Sequence, residues 1–152
     1  MCGRYALGRH RAASVFEREY FASLEGYRGH YNAAPTQSMP IARLTQGKPE
    51  LIEARWGLVP AWAKDVKIAY STINARAETV AIKPAFRNAY RARRCLVPAS
   101  GYYEWQARHD GKQLYYFTSR DGSLLAFAGL SRLNACVRSI CGKYSSSQVL
   151  GP

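Results

Sequence analysis

"RCLVPASGYYEWQARHDGKQLYYFTSRDGSLLAFAGL" (residues 94–130) is the stretch that decides the fold. Within it, 95–106, 113–119 and 124–130 carry the aromatic and branched side chains that suit a pleated surface. Between them, "HDGK" and "SRDG" each present an Asp-Gly pair, whose backbone preference matches the twist of a tight hairpin. Successive strands joined by short turns predict antiparallel sheet. Upstream, 41–45 and 51–59 read as two further strands around a turn at "QGKPE". Helices are few. One is expected over 9–25, where Ala12, Val15, Phe16 and Leu24 fall near helical spacing ahead of Gly26. Another is expected over 84–93, with Pro84 in its first turn and Phe86 and Tyr90 facing the core. "AYSTINARAET" (69–79) reads as irregular. The expected class is α+β: one β-rich domain of mainly antiparallel sheet over residues 1–130. Residues 131–152 have no clean period and are expected as a divergent, flexible tail.

The chain has 152 residues, 47% of them hydrophobic, which suits one real core. No apolar run approaches the roughly 20 residues needed to span a bilayer. No apolar segment follows Arg4, Arg9, His10 and Arg11, as a signal peptide requires. No membrane is expected as a partner. A reducing compartment is expected, with Cys2, Cys95, Cys136 and Cys141 as thiols. Cys136 and Cys141 lack the further ligands of a tetrahedral zinc site, so neither metal nor cofactor is expected.

Net charge is +12, which predicts a polyanionic partner, nucleic acid first. The charge is concentrated. No acid precedes Glu17, and between Glu78 and Glu104 the only charged residues are Lys83, Arg87, Arg91, Arg93 and Arg94. Most of the basic residues are arginine, whose fork suits phosphate oxygens. On the expected helix, Lys83, Arg87, Arg91 and Arg94 form one basic stripe.

Chemistry has four candidate centres. Cys2 becomes terminal if Met1 is removed, as happens ahead of small residues. Its amine, with a pKa near 7.7–8.0, then condenses with an aldehyde, and its thiol closes a five-membered thiazolidine. A terminal cysteine is also the nucleophile of some amide hydrolases. Glu104 lies in "GYYEW" between Tyr103 and Trp105, where partial desolvation raises a carboxyl's pKa toward acid–base work; a surface glutamate is the bland alternative. In "STINARAET", Asn74, Arg76 and Glu78 share one side of an extended chain. There Asn orients a hydroxyl or carbonyl and Arg clamps phosphate. In "RWGLVPAW", Trp56 or Trp62 is a stacking platform for unpaired bases, against the commoner fate of tryptophan in a core.

"MCGRY", "YNAAPTQ", "RWGLVPAW", "INARAET", "RRCLVPASGYYEW" and "FAGL" occur in an order that resembles the SRAP (SOS response-associated peptidase) family over about residues 1–130. The resemblance implies binding of single-stranded DNA at abasic sites, by a monomer, with a covalent thiazolidine crosslink to the sugar aldehyde. It implies catalytic roles for Cys2, Asn74 and Glu104. It implies phosphate contacts from Arg4 and Arg76, and aligns Trp56 with the family's tryptophan. The peptidase label implies self-processing ahead of the cysteine, and lyase-type chemistry belongs to the same expectation. The implied location is cytoplasmic and nucleoid-associated in a bacterium, nuclear in a eukaryote. The family pattern continues past "GLW" to a histidine in "HDRMP". Here Ser131 follows Leu130, and His10, His30 and His109 do not match that motif. The chain is thus expected to be a C-terminally truncated member. A non-catalytic single-strand binder and a self-processing N-terminal-cysteine hydrolase are the alternative readings.

Overall fold

The computed structural model describes residues 3–9, 14–132 and 136–141, with residue 15 and residues 136–141 described as backbone alone. The described chain forms ten strands. They are β1 (Arg4–Leu7), β2 (His30–Ala33), β3 (Ser38–Thr45), β4 (Lys48–Trp56), β5 (Asn74–Arg76), β6 (Arg94–Ala99), β7 (Gly101–Arg108), β8 (Gly111–Thr118), β9 (Leu125–Ser131) and β10 (Cys136–Cys141). Two short helices accompany them, α1 (Val15–Phe21) and α2 (Arg87–Ala92). One sheet has the order β2-β1-β7-β8, and the other β4-β3-β6-β9-β10-β5. A parallel pairing of β10 with β4 closes five strands of the larger sheet into a ring. This is a β-dominated α+β architecture, as expected. Among the described residues no helix is long and apolar enough to cross a membrane.

The run 95–106, expected as one strand, is two strands in different sheets. β6 pairs with β9 over six residues, from Arg94↔Leu130 to Ala99↔Leu125. β7 pairs instead with β1 and with β8. The chain changes sheets at Ser100, and no polar group of that residue is wasted. Its N–H donates to the Ala6 carbonyl at 2.8 Å. Its Oγ accepts from the Gly8 N–H at 2.8 Å, and its carbonyl accepts from Thr118 Oγ1 at 2.9 Å. Such saturation lets an irregular residue sit between two sheets. The next residue must be glycine for want of space. A Cβ at Gly101 would collide with the Tyr116 ring and lie 2.5 Å from the Phe117 carbonyl oxygen.

Two of the three hairpin signals read from sequence turn paired strands; the third, "SRDG", instead carries the chain from β8 in one sheet to β9 in the other, because β9 pairs with β6. β7 and β8 pair without slippage from Gly101↔Thr118 to Arg108↔Gly111 around His109-Asp110. β3 and β4 turn at Gln46-Gly47, both with positive φ (51° and 77°), the mirror-image turn that fits strand twist. The main core lies between the sheets, where Tyr5, Leu7, Phe21, Met39, Ile41 and Val97 are buried. A smaller cluster, with Leu58, Ala75, Val80, Phe86, Ala89 and Leu130, lies under α2.

Both helices are shorter than the periodicity predicts. α1 starts after Ser14, whose side chain accepts from the Glu17 N–H while Glu17 accepts from the Ser14 N–H. Glu17 is buried, and its other oxygen accepts from the Leu124 N–H at 2.9 Å. The helix passes into a single 3-10 turn, Ala22–Leu24, before Gly26 at φ 87°. Residues 10–13 lie outside the described set. α2 has six residues because 79–86 are turns; Phe86 and Ala89 face the core, and Tyr90, expected there, is exposed. Beyond residue 130, where the patterned sequence stops, backbone strand β10 pairs antiparallel with β9 and parallel with β5.

Replacing Gly101 by Ala is expected to lower stability by about 3 kcal/mol, since Tyr116 and the β8 backbone must both give way. Urea denaturation reads this directly. An unchanged midpoint would show that the contact is not a constraint.

Candidate nucleic-acid interface

The site is built around the first strand. Tyr5 lies across from Tyr102 and turns its ring onto Trp56, with centroids 5.4 Å apart, and onto Phe127 at 6.1 Å. Its neighbour Arg4 pairs with Tyr103. Glu104 is thus the next residue of β7 beyond that pair, half-buried, on the face it shares with Tyr102 and the cross-strand Tyr115. Cys2, expected as the nucleophile, lies outside the described residues, as does Met1.

Trp56 is the main correction to the expected site. Expected as a DNA-contacting ring, it is only 5% exposed. Its face is occupied by Tyr5, and its Nε1–H donates to the Ile73 carbonyl at 2.8 Å. It therefore ties β1 to the residue preceding Asn74 and cannot offer a face to a base. The tryptophan of "RWGLVPAW" that is open to solvent is Trp62, at 58% exposure. A second tie joins the same two segments: Thr72 Oγ1 donates to the Leu58 carbonyl at 2.5 Å. "RWGLVP" and "STINAR" are one packed unit because of these bonds. On β5, Asn74 is half-buried and Arg76 exposed, on the side opposite buried Ala75, while Glu78 is exposed in the following turn.

The basic residues are presented as a surface, though not on one helix. Lys83 belongs to the turn before α2, where its carbonyl accepts from the Phe86 and Arg87 N–H groups at 2.9 Å each. Arg87 and Arg91 are helical, and all three are exposed. Arg94, expected as the fourth member, is exposed on β6 opposite Leu130, because the helix ends at Ala92. None of Lys83, Arg87, Arg91, Arg94 or Arg76 pairs with a carboxylate among the described residues. Their charge stays available to an anion.

Aromatic side chains cluster on the other face of β7. Tyr103 and Tyr116 pack at 4.9 Å, and the Tyr103 hydroxyl donates to the Tyr31 carbonyl at 2.9 Å. Burial, then the neighbouring Tyr103 and Tyr31, raise the Tyr116 pKa. Trp105 and Leu114 extend this face and are exposed. Cys95 is a contrast to a reactive cysteine. Burial pushes its thiol up to about 12 against the smaller opposing pull of Arg43, so it stays protonated at neutral pH. The side chains of Cys136 and Cys141 lie outside the described residues. Sequence reasoning missed Tyr5, whose role depends on contacts among β1, β4 and β9 that no local spacing reports.

A family model described as SOS response associated peptidase (SRAP) matches residues 1–146. The abasic site processing protein YoaM of Bacillus subtilis (strain 168) is 41% identical over 135 residues, covering 86% of this chain and 59% of its own. The abasic site processing protein HMCES of Gallus gallus is 35% identical over 102 residues, covering 59% of this chain and 30% of its own. The chain thus spans well under two thirds of the length of these relatives. Among solved structures, a Bacteroides thetaiotaomicron protein superposes with a TM-score of 0.69 at 24% identity, covering 91% of this chain and 66% of that one. A Bordetella bronchiseptica protein gives 0.66 at 28% identity, covering 91% and 69%.

Two outcomes follow from this geometry. Trp56→Phe keeps a ring against Tyr5 but leaves the Ile73 carbonyl without its donor, and is expected to cost about 1–3 kcal/mol in chemical denaturation. Iodoacetamide at pH 8 is expected to leave Cys95 unmodified in the folded protein, read by peptide mass spectrometry. Alkylation there at the rate of the unfolded chain would contradict the buried, protonated thiol.

Proposed function

The chain belongs to the SRAP family, and on that premise we propose that it binds single-stranded DNA at abasic sites and captures the ring-opened sugar as a thiazolidine on Cys2. The observation that carries the reading is a convergence on the N-terminal strand. Arg4 pairs with Tyr103 beside Glu104, while Tyr5 and Trp56 hold the strand of Asn74 against the same strand. Two residues of chain keep Cys2 within about 7 Å of Arg4 by covalent reach alone.

The chemistry needs Met1 removed. The free Cys2 amine adds to the aldehyde carbon to give a carbinolamine. Loss of water gives an imine. The thiol sulfur then bonds to that carbon, and its proton ends on nitrogen, so the net reaction releases one water. Glu104 carries protons in opening the sugar hemiacetal and in dehydrating the carbinolamine, an acid–base contribution of about 10²–10⁴-fold. Asn74 orients the amine or the sugar oxygen. Arg4 and Arg76 hold the phosphates next to the lesion, and Lys83, Arg87, Arg91 and Arg94 attract the strand at longer range. Trp62 supplies the exposed stacking ring, and Trp56 acts as a positioning residue. Removal of Met1 by the chain itself is the peptidase part of the reading. A lyase-type step would start from the same imine.

Mixing the Met1-processed protein with an abasic single-stranded oligonucleotide is expected to give an adduct that survives denaturing electrophoresis, with a mass one water below the sum. Cys2→Ala removes the adduct. Cys2→Ala and Cys2→Ser both keep the amine without the thiol, so each leaves only an imine that borohydride traps. Salt-sensitive binding with no adduct would favour the non-catalytic binder, to which the unpaired cations also point. Turnover of a peptide substrate blocked by Cys2→Ser would favour the hydrolase.

A further inference from the structure

The hairpin of β7 and β8 runs well past the strand that supports it. β1 pairs with β7 only at Gly101, Tyr102 and Tyr103, so Glu104 to Arg108 continue with no β1 alongside. The far half is exposed on both faces. On the face of Glu104 stand Gln106 and Arg108, with Tyr115 directly across from Glu104.

These three side chains are organised. The Tyr115 hydroxyl accepts from Arg108 Nη2 at 2.5 Å and donates to Gln106 Oε1 at 3.0 Å. The Arg108 guanidinium also stands 6.0 Å from the Tyr115 ring centroid. No carboxylate pairs with Arg108 among the described residues. Among the described residues one of its five donors is committed, and the Gln106 amide N–H groups are open. A cation held in one place by neutral groups, with its charge uncompensated, is arranged for an anion from outside.

We infer that this overhang is a phosphodiester-binding arm, in which Arg108, steadied by Tyr115, and Gln106 take a backbone phosphate of the single strand flanking the abasic sugar. The inference rests on the proposed abasic-site reading. At about 3.4 Å per residue, Gln106 lies roughly 7 Å and Arg108 roughly 14 Å along the strand from Glu104. That puts the arm at neighbouring phosphates rather than at the reacting sugar. Arg108 and Gln106 are binding residues, and Tyr115 is a positioning residue.

The test uses the full chain and a fluorescent single-stranded oligonucleotide with a central tetrahydrofuran, which mimics the abasic sugar but cannot react. Arg108→Ala is expected to raise Kd about five- to tenfold and to lower the log–log salt slope by about 0.7, the loss of one phosphate contact. Tyr115→Phe is expected to raise Kd about two- to threefold. Arg108→Lys should restore the salt slope without the full affinity. Strands shortened from either end locate the contact: the truncation that weakens wild type should cost Arg108→Ala nothing. A true abasic strand, run beside it, reads crosslinking by wild type. An Arg108→Ala protein with unchanged Kd and salt slope, or one still weakened by that truncation, overturns the arm. Wild type that fails to bind the strand overturns both the arm and the function. Wild type that binds without crosslinking overturns only the chemistry.

Discussion

The passage of the chain from one sheet to the other at Ser100 and Gly101 is the constraint on which the rest of the molecule depends. β6 belongs to the larger sheet and β7 to the smaller, and no loop separates them. Two sheets joined by a single residue cannot slide past one another. The hydrogen bonds of Ser100 to Ala6, Gly8 and Thr118 also lock β1 and β8 to that corner. Because β1 is docked there, Tyr5 meets Trp56, and Trp56 in turn meets the strand of Asn74. Geometry around the N-terminal strand is thus inherited from a corner at the other end of that strand.

Around this rigid frame the charge is left uncompensated. A net +12 on 152 residues costs stability through self-repulsion. A well-formed ion pair, Arg43 with Glu50, sits on β3 and β4, and there hydrogen bonds from Thr45 and then Arg43 lower the Glu50 pKa. Glu50 is thus spent on steadying a hairpin, while Lys83, Arg87, Arg91, Arg76 and Arg108, in and just before α2, on β5 and on the β7–β8 overhang, pair with no carboxylate among the described residues.

Legibility in the sequence followed the range of the physics. Two hairpins were readable because Asp110-Gly111 and "QGKPE" set backbone conformation within four or five residues, whereas Asp121-Gly122 makes a local turn between strands of different sheets. The sheet change was not, because "LVPASGYYEW" is uniformly strand-like; what demands a glycine at 101 is a tyrosine fifteen residues later. Trp56 and Trp62 look alike as letters and differ only in what covers them. Arg94 fell off the expected stripe because α2 ends at Ala92, a boundary set by tertiary packing rather than by periodicity. The resemblance to a family could nominate Arg4, Asn74, Arg76 and Glu104 together, but the bond from Trp56 to Ile73 and the contact of Tyr5 that link their strands have no signature in spacing.

The pairing of β1 with β7 joins residues 99 positions apart, Arg4 and Tyr103. On a ribosome adding about 5–20 residues per second, the first strand waits roughly 5–20 s before its partner has even been made. Throughout that interval the chain's leading end is accessible to processing enzymes, with no Glu104 beside it. In the proposed chemistry, removal of Met1 by outside enzymes can precede the pairing of β1 with β7, whereas removal by the chain itself has to follow it. Synthesis order itself separates the two routes to the mature nucleophile.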